Sequence, residues 1–97
     1  LAFLAHHDAL TGLPNRFHLK EQLEHAVARA QRLKQRLALL FIDLDGFKLV
    51  NDSLGHAFGD QVLIGVADAL KKLVRNTDIL VRFGGEEFVI IFINCSL

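Results

Sequence analysis

Apolar and polar residues alternate with the 3.6-residue period of an amphipathic helix in two stretches of the chain. In the first stretch, residues 17–33, the apolar positions are Leu19, Leu23, Ala26, Val27, Ala30 and Leu33. In the second stretch, residues 60–74, they are Val62, Val66, Ala69, Leu70 and Leu73. Each pattern predicts a helix that buries one apolar stripe against a core and exposes its polar face.

Three shorter stretches are mostly apolar and have the length of strands. Residues 37–42 contain no polar residue, which predicts a strand buried on both faces. Residues 79–83 and 88–93 are rich in β-branched and aromatic residues, and Gly84-Gly85 lies between them. This arrangement predicts a tight antiparallel hairpin whose two glycines supply the positive φ angles, with Glu86 and Glu87 at its tip.

The order of the predicted elements indicates the fold class. A short helix at residues 47–54 completes the series helix, strand, helix, helix, strand, strand, which predicts an α/β fold of the α+β sandwich type in one domain. Residues 1–7 have the character of the end of an incoming helix, and the turn formers at residues 11–15 separate them from the first long helix. Because the chain begins at Leu1 rather than Met and ends just after an apolar strand, we expect it to be part of a longer protein.

The composition limits the kinds of binding partner and the cellular compartment that we expect for this chain. Eleven basic and eleven acidic side chains cancel, so no bulk charge would recruit a nucleic acid or an anionic membrane surface. No apolar run approaches the roughly 20 residues that cross a bilayer. A single cysteine, Cys95, fits a reducing compartment. We therefore expect a cytoplasmic domain without a membrane segment of its own, in a parent protein that is itself free or membrane-anchored.

Carboxylates follow or join the predicted strands and suggest a metal site. Asp43 ends one strand and Glu86 lies in the hairpin, so the two converge if these strands are neighbours. Mg²⁺ binds through one or two carboxylates and completes its shell with water and substrate phosphates. Gly84 and Gly85 would let backbone N–H groups approach a phosphate, and Lys48 would add a positive charge. The pattern suits a nucleoside triphosphate, although a plain hairpin turn with solvated polar residues explains the same spacing.

Two further polar pairs each have two interpretations. Asn51 and Asp60 carry groups complementary to a guanine base, but they are equally typical of a loop and of a helix N-terminus. Arg75 and Asp78 could hold a phosphate and a base at the surface, or could simply close the end of a helix. The five histidines show no metal-binding spacing and are interpreted as surface or loop residues: His6, His7, His18, His25 and His56.

Three motifs taken together carry a family resemblance. They are Asp-Ala-Leu-Thr-Gly-Leu-Pro-Asn-Arg at residues 8–16, Asp-Leu-Asp-Gly-Phe-Lys-Leu-Val-Asn-Asp at residues 43–52 and Arg-Phe-Gly-Gly-Glu-Glu-Phe at residues 82–88. In this order they resemble the GGDEF domain, with the signature in its GGEEF form. The resemblance implies a fold similar to nucleotidyl cyclases and polymerase palms, a mainly antiparallel central sheet with helices packed on it. It covers about the first three-fifths of such a domain, so residues 8–97 would be a partial GGDEF domain and residues 1–7 the end of a signalling helix.

The resemblance also implies an activity, the condensation of two GTP molecules into cyclic di-GMP, a bacterial second messenger, with release of pyrophosphate. By this likeness Asp43, Glu86 and the backbone carbonyl of Leu44 would hold Mg²⁺, or Mn²⁺ in its place. Glu87 would be a second metal ligand or the base for the attacking 3′-hydroxyl. Turnover would need a homodimer, because each active site of the family holds one GTP, and an N-terminal sensor domain would control it.

Further roles follow from the same likeness. Residues expected to contact the substrate are Phe47 and Lys48 at the phosphates, Asn51 and Asp60 at guanine, and Gly84 and Gly85 in the loop beside the nucleotide. Arg75 and Asp78 match the inhibitory RxxD site, where cyclic di-GMP binds. Two alternatives remain open: a GGDEF module that binds GTP or cyclic di-GMP as a receptor without turnover, and a plain α/β interaction domain that binds neither.

Overall fold

The structure, a computed structural model, describes residues 5–94. Its elements are helix α1 (Arg16–Leu33), strand β1 (Leu37–Asp43), helix α2 (Phe47–Leu54), helix α3 (His56–Leu73), strand β2 (Ile79–Gly84) and strand β3 (Glu87–Ile93). Ala5 and His6 are helical, whereas most of the predicted incoming helix, residues 1–4, and Cys95 lie outside the described residues. Between residues 5 and 94, no helix is long and apolar enough to cross a membrane.

The three strands form one antiparallel sheet in the order β1-β3-β2. Side chains of the central strand alternate between the two faces of this sheet. Phe88 and Ile90 pack with Leu63 and Ala67 of α3 on one face, whereas Val89 and Ile91 pack in the cluster that contains Leu19, Ala26 and Val81 on the other. Helices therefore cover both faces, and the predicted α+β sandwich with an antiparallel sheet is confirmed.

The prediction that β1 is buried on both faces is wrong for the described residues. Leu39, Leu40 and Phe41 are 43%, 46% and 58% exposed. Within the sheet β1 is an edge strand, and β3 takes the doubly covered central position. A continuous apolar run marks a strand but does not say which strand of the sheet lies in the middle.

Helix α1 begins where its sequence supplies a cap. The Asn15 Oδ1 accepts hydrogen bonds from the backbone N–H groups of Phe17 and His18, at 3.1 and 3.2 Å. The predicted stripe is correct for its small and central members but not throughout, because Val27 and Leu33 are 39% and 46% exposed. Three of its residues are buried: Leu19, Ala26 and Ala30.

Helix α3 begins at His56, four residues before the predicted start at residue 60, after Gly55 at φ 89°. Its buried residues are Gly59, Leu63 and Ala67, one position away from the predicted row. Three members of that row pack beside the core, whereas Ala69 and Leu73 are exposed. Two adjacent apolar rows run along this helix, and periodicity alone does not distinguish the row that faces the sheet.

The hairpin between β2 and β3 forms as predicted, but its backbone differs from the prediction. Among the described residues, the glycines at positive φ are Gly12, Gly46 and Gly55, so neither Gly84 nor Gly85 has the expected angle. The turn is made by Gly85 and Glu86, and the strand register shifts between Arg82 and Gly84. The chain thus reverses at residues 85 and 86 without a left-handed residue.

Candidate functional site

A cavity of about 600 Å³ opens where the end of β1, the β2–β3 turn and the two helices α2 and α3 meet. It is lined by Asp43, Phe47, Lys48, Asn51, His56, Asp60, Leu63, Arg82, Gly85, Glu86 and Glu87. Most of the site residues expected from the sequence are therefore brought together. Leu44 is not among the lining residues, and Gly84 borders a neighbouring cavity of about 320 Å³ instead.

One wall of the large cavity is acidic. Asp43 is the direct cross-strand partner of Glu87, and the backbone N–H of Leu44 donates to the carbonyl of Glu86 at 3.1 Å. Side chains of direct partners in an antiparallel pair stand about 5 Å apart at their Cβ atoms. The antiparallel pairing of β1 with β3 thus gathers three carboxylates at one edge of the sheet, as the sequence indicated.

The acidic wall has the donor chemistry of a divalent-cation site. Within the described part of the chain, no group of three or more His, Cys, Asp or Glu side chains is placed so that it could hold a metal ion by itself. A magnesium ion does not require one, because it is held by one or two carboxylates and by phosphate and water oxygens. The Glu87 carboxylate lies against Gly84, since a Cβ at this position would collide with its Oε1. The hard oxygen donors of this wall fit a divalent cation such as Mg²⁺.

The opposite wall is formed where α2 meets α3. A Cβ on the buried Gly59 would collide with the Oδ1 of Asn51, so the glycine allows the Asn51 amide to lie directly against α3. Asp60 lies one turn after His56 on the same face of this helix. The alternative in which Asp60 caps the helix is wrong, because Gly55 occupies the N-cap and the first turn contains no acid. Asn51 likewise belongs to helix α2 rather than to a loop.

Three of the lining residues were not predicted as site residues: His56, Leu63 and Arg82. His56 was interpreted as a surface or loop residue, and it is exposed, but it also opens α3 at the cavity. Its position four residues before Asp60 was the available signal, which the late predicted start of the helix obscured. Arg82 gave no local signal, because its ion-pair partner Asp8 lies 74 residues away.

The interpretation of the other histidines needs a correction as well. His6, His7 and His18 are half-buried and form a ring cluster, with centroids 6.0 Å apart for His6–His18 and 5.8 Å for His7–His18. Burial, followed by the charges of His7 and His6, lowers the pKa of His18. The cluster packs the N-terminal segment onto α1, a contact between positions that local spacing does not reveal.

Arg82 connects the N-terminal loop to the β2–β3 turn. Its Nη1 donates to both carboxylate oxygens of Asp8, at 2.9 and 3.0 Å, and its Nη2 donates to the carbonyl of Gly85 at 2.8 Å. The Asp8 carboxylate also accepts from the N–H and the hydroxyl of Thr11, both at 2.8 Å. Burial alone would raise the pKa of Asp8, but the hydrogen bonds from Thr11 and Arg82 outweigh it, so the pKa lies below its usual value.

The lowered pKa of Asp8 predicts a pH dependence of stability. A carboxyl whose pKa is lower in the folded than in the unfolded state stabilises the fold above its unfolded pKa of about 3.9, and this contribution is lost as the pH falls through the folded-state pKa. We expect the free energy of unfolding to fall on acidification below pH of about 4, and to fall less in Asp8→Asn. Urea denaturation at a series of pH values measures this slope. Asp68→Asn, at an exposed surface pair, is the matched control and should keep the wild-type slope.

Arg75 and Asp78 pair with each other just after α3. The Arg75 Nη2 donates to Asp78 Oδ1 at 2.9 Å and to the carbonyl of Ile93 at 2.8 Å, and the Arg75 N–H donates to Asp78 Oδ2 at 2.8 Å. These bonds, first of all the one from the Arg75 side chain, lower the pKa of Asp78. The helix-end clasp predicted as the simpler alternative is present, and neither residue lines the large cavity.

Comparison with known proteins places this fold and site in a family. The family described as diguanylate cyclase, GGDEF domain, matches residues 5–97. Among curated relatives, the chain is 52% identical over 88 residues to the bifunctional diguanylate cyclase/cyclic di-GMP phosphodiesterase MucR of Pseudomonas aeruginosa, covering 91% of this chain and 13% of that protein. It is 46% identical over 91 residues to the diguanylate cyclase TpbB of the same species, covering 94% of this chain and 21% of that protein.

Comparison with solved structures gives the same family. The GGDEF domain of TpbB from P. aeruginosa superimposes with a TM-score of 0.91 at 42% identity, covering 95% of this chain and 54% of that one. The coiled coil and GGDEF domain of DgcB from Caulobacter crescentus, in complex with c-di-GMP, superimposes with a TM-score of 0.94 at 34% identity, covering 98% of this chain and 50% of that one. The chain thus spans about half of these solved structures and a smaller part of the curated relatives. It belongs to the GGDEF domain family.

Proposed function

We propose that the protein containing this chain is a diguanylate cyclase, which condenses two GTP molecules into cyclic di-GMP and two pyrophosphates. One observation carries the proposal: a single cavity has the carboxylates of Asp43, Glu86 and Glu87 on one wall and the polar groups of Asn51 and Asp60 on the other. The first wall suits the phosphates and metal of a nucleoside triphosphate, and the second suits a guanine base. The names of the curated relatives support the same activity.

In this proposal, the wall formed by α2 and α3 recognises the base. The Asp60 carboxylate has two acceptor oxygens for the N1–H and the exocyclic amine of guanine, whereas adenine lacks both donors at these positions. The Asn51 amide, held against Gly59, offers a donor and an acceptor for the remaining edge of the base. A polar site of this kind discriminates between bases, because the wrong base would cover the Asp60 and Asn51 groups without offering them partners.

In this proposal, the start of α2 and the β2–β3 turn bind the phosphates. The side chain of Phe47 is buried in the core, so its contact with a phosphate would come from its backbone N–H in the first turn of α2. No side chain caps that turn, which leaves N–H groups available for an anion. The Lys48 ammonium adds positive charge at the cavity wall. Gly85, in the adjoining turn, places no side chain between its backbone and a phosphate, and Gly84 precedes it at the end of β2.

Asp43 and Glu86 would hold Mg²⁺, or Mn²⁺, together with the backbone carbonyl of Leu44. A cation held there would neutralise phosphate charge and favour ionisation of the attacking hydroxyl. In each of two condensations, the 3′-oxygen of one GTP forms a bond to the α-phosphorus of the other, and the bond to the β-phosphate oxygen breaks to release pyrophosphate. Glu87, on the same wall, accepts the hydroxyl proton or acts as a further metal ligand.

The size of the cavity supports a proposed cooperation between two domains. A cavity of about 600 Å³ is of the size that encloses one small ligand rather than two nucleotides. Cyclisation joins two nucleotides twice, so two GGDEF domains must face each other with one GTP in each. We therefore propose a homodimer, aligned by a sensor domain on the N-terminal side, acting on GTP in the cytoplasm.

The direct test is conversion of GTP by the full-length protein in Mg²⁺ and in EDTA, followed by chromatography. Cyclic di-GMP formed only with Mg²⁺ would establish the activity. Binding of GTP or cyclic di-GMP without product, in a folded dimer, would replace the cyclase with a receptor. Absence of both binding and turnover would reject both functions and leave an interaction domain.

Asp60→Asn should weaken GTP binding about 10- to 100-fold, because hydrogen bonds to a charged group contribute about 1.5–3 kcal/mol. The amide replaces one acceptor oxygen with a donor and opposes the guanine donors. Calorimetric titration of the full-length protein with a non-hydrolysable GTP analogue measures the affinity.

Asp68→Asn is the matched control, since Asp68 lies two turns further along α3 and outside the cavity. It should bind the analogue like the wild type. Equal affinity of Asp60→Asn and wild type would show that Asp60 does not contact the base.

We also propose Arg75 and Asp78 as a site of product inhibition. The pair lies outside the cavity, so a ligand there need not compete directly with GTP. Arg75 is 55% exposed in its side chain and its guanidinium is directed by Asp78, which is almost fully buried. Cyclic di-GMP is bound by a related GGDEF domain, that of DgcB. An exposed, pre-oriented guanidinium is well suited to the phosphates and guanine edges of this product.

Arg75→Ala should raise the cyclic di-GMP concentration needed for half inhibition about tenfold or more, the loss expected for a charge-assisted hydrogen bond, with little change in initial rate. Progress curves of GTP turnover at increasing product concentration measure it. Lys72→Ala, one of the exposed lysines in the last turn of α3, serves as the control. Unchanged inhibition in Arg75→Ala would mean that the pair is only a helix-end clasp.

A further inference from the structure

Arg82 lies between the N-terminal segment of the chain and the candidate active site. It borders both the large cavity and the neighbouring one of about 320 Å³. Its side chain is only 16% exposed and that of its partner Asp8 only 21%. The ion pair therefore lies largely out of solvent, where a charge pair holds its geometry better than at the surface.

A continuous series of hydrogen bonds runs through Arg82. Asp8 accepts from the Nη1 of Arg82, the Nη2 of Arg82 donates to the carbonyl of Gly85, and the next residue, Glu86, accepts at its carbonyl from the N–H of Leu44. Gly85 and Glu86 form the turn that carries part of the acidic wall. The series thus links Asp8 to the residue that follows Asp43, through the turn itself.

Further hydrogen bonds hold the N-terminal segment, residues 5–8, close to Arg82. The Asn15 Nδ2 donates to the carbonyl of Ala5 at 3.2 Å, and the Asn15 N–H donates to the carbonyl of His6 at 2.9 Å. The backbone N–H of Arg82 donates to the carbonyl of Pro14 at 2.9 Å. A displacement of residues 5–8 would therefore reach Arg82 both through its side chain and through its backbone.

The geometry also explains why an arginine is needed. The guanidinium is a planar fork whose separate nitrogens can donate in different directions at once, and Arg82 uses Nη1 toward Asp8 and Nη2 toward Gly85. A lysine would keep the charge beside Asp8, but its single nitrogen has no rigid fork to join the two acceptors. Arg82→Lys thus separates the linking role from the charge.

We propose that Arg82 is a positioning residue, which holds the Gly85–Glu86 turn in its productive geometry and transmits the position of the N-terminal segment, through Asp8, to the acidic wall. The inference rests on the proposed cyclase function, and it assigns to Arg82 and Asp8 no contact with the reacting atoms. Residues that hold catalytic groups in this indirect way affect the rate of reaction more than the affinity for substrate.

The first test is steady-state GTP turnover by the full-length protein carrying Arg82→Lys or Asp8→Asn. We expect kcat to fall about 10- to 100-fold, as for other supporting residues behind an active site, with KM for GTP changed by less than about threefold. Arg36→Lys, at an exposed position before β1, is the matched control and should keep the wild-type kcat. A wild-type kcat in both variants would overturn the proposal, and so would a rate loss fully explained by a smaller folded fraction.

The second test does not depend on activity. Amide hydrogen exchange in the same variants should be faster at Leu44, whose N–H is bonded to Glu86, by about tenfold or more, while the buried amides of β3 keep their protection. If the wild type makes no cyclic di-GMP, the proposed function fails, but the exchange at Leu44 still decides whether Arg82 holds the turn. Unchanged protection of Leu44 in an active wild-type background would overturn the inference alone.

Discussion

Replacing Asp43 with asparagine in the full-length protein is expected to lower GTP turnover about 10³-fold, because a bound divalent cation contributes several kcal/mol of charge stabilisation and each 1.4 kcal/mol is a factor of ten. Asparagine keeps the size of the side chain but removes the negative charge that the cation needs. Asp43 is exposed and contributes its backbone, not its carboxylate, to the pairing with Glu87, so the fold should persist. Pyrophosphate release at saturating GTP and increasing Mg²⁺ measures the effect.

Asp45→Asn is the matched control. Asp45 is two residues away and exposed, but it lies outside the lining of the cavity. It should retain turnover within about threefold of the wild type, the range of ordinary surface substitutions. If Asp43→Asn retained activity, or if both variants lost it equally, the assignment of the metal site to the acidic wall would be wrong.

The acidic wall was predictable from the sequence because two local signals combine there. Asp43 directly follows an apolar strand and Glu86 lies within a two-strand hairpin, and pairing of these strands places both at one sheet edge. The family motifs then favoured a nucleotide site over a solvated hairpin turn. Elements with strong periodicity, such as α1, were correct within one residue at each end for the same reason.

The remaining errors come from contacts that are distant in the sequence. The ion pair of Arg82 with Asp8 and the central place of β3 are set by how elements pack, which no local pattern contains. The stretch predicted for α3 starts at residue 60, directly after Gly59, whereas the helix begins at His56 and continues through this glycine, against which Asn51 packs closely. A glycine in a helix signals either an interruption or a close approach, and the sequence alone does not choose between them.

Phe88→Ala is the substitution expected to destabilise the fold most. Phe88, the second residue of the central strand β3, is completely buried and lies opposite Ile42 on one neighbouring strand and Arg82 on the other. Truncating a buried phenylalanine costs about 3–5 kcal/mol, a large part of the 5–15 kcal/mol of a typical domain. Urea denaturation followed by circular dichroism measures the change in the free energy of unfolding.

Phe17→Ala provides the same change of side chain at a position that is 71% exposed, and it should cost less than about 0.5 kcal/mol. Phe88 also adjoins Glu87, whose cross-strand partner is Asp43. A cavity at residue 88 should therefore loosen the acidic wall as well as the core, so that the folded fraction of Phe88→Ala has a reduced kcat. A loss of stability with wild-type turnover per folded molecule would show instead that the strand pairing at Glu87 holds the site independently of the core beneath it.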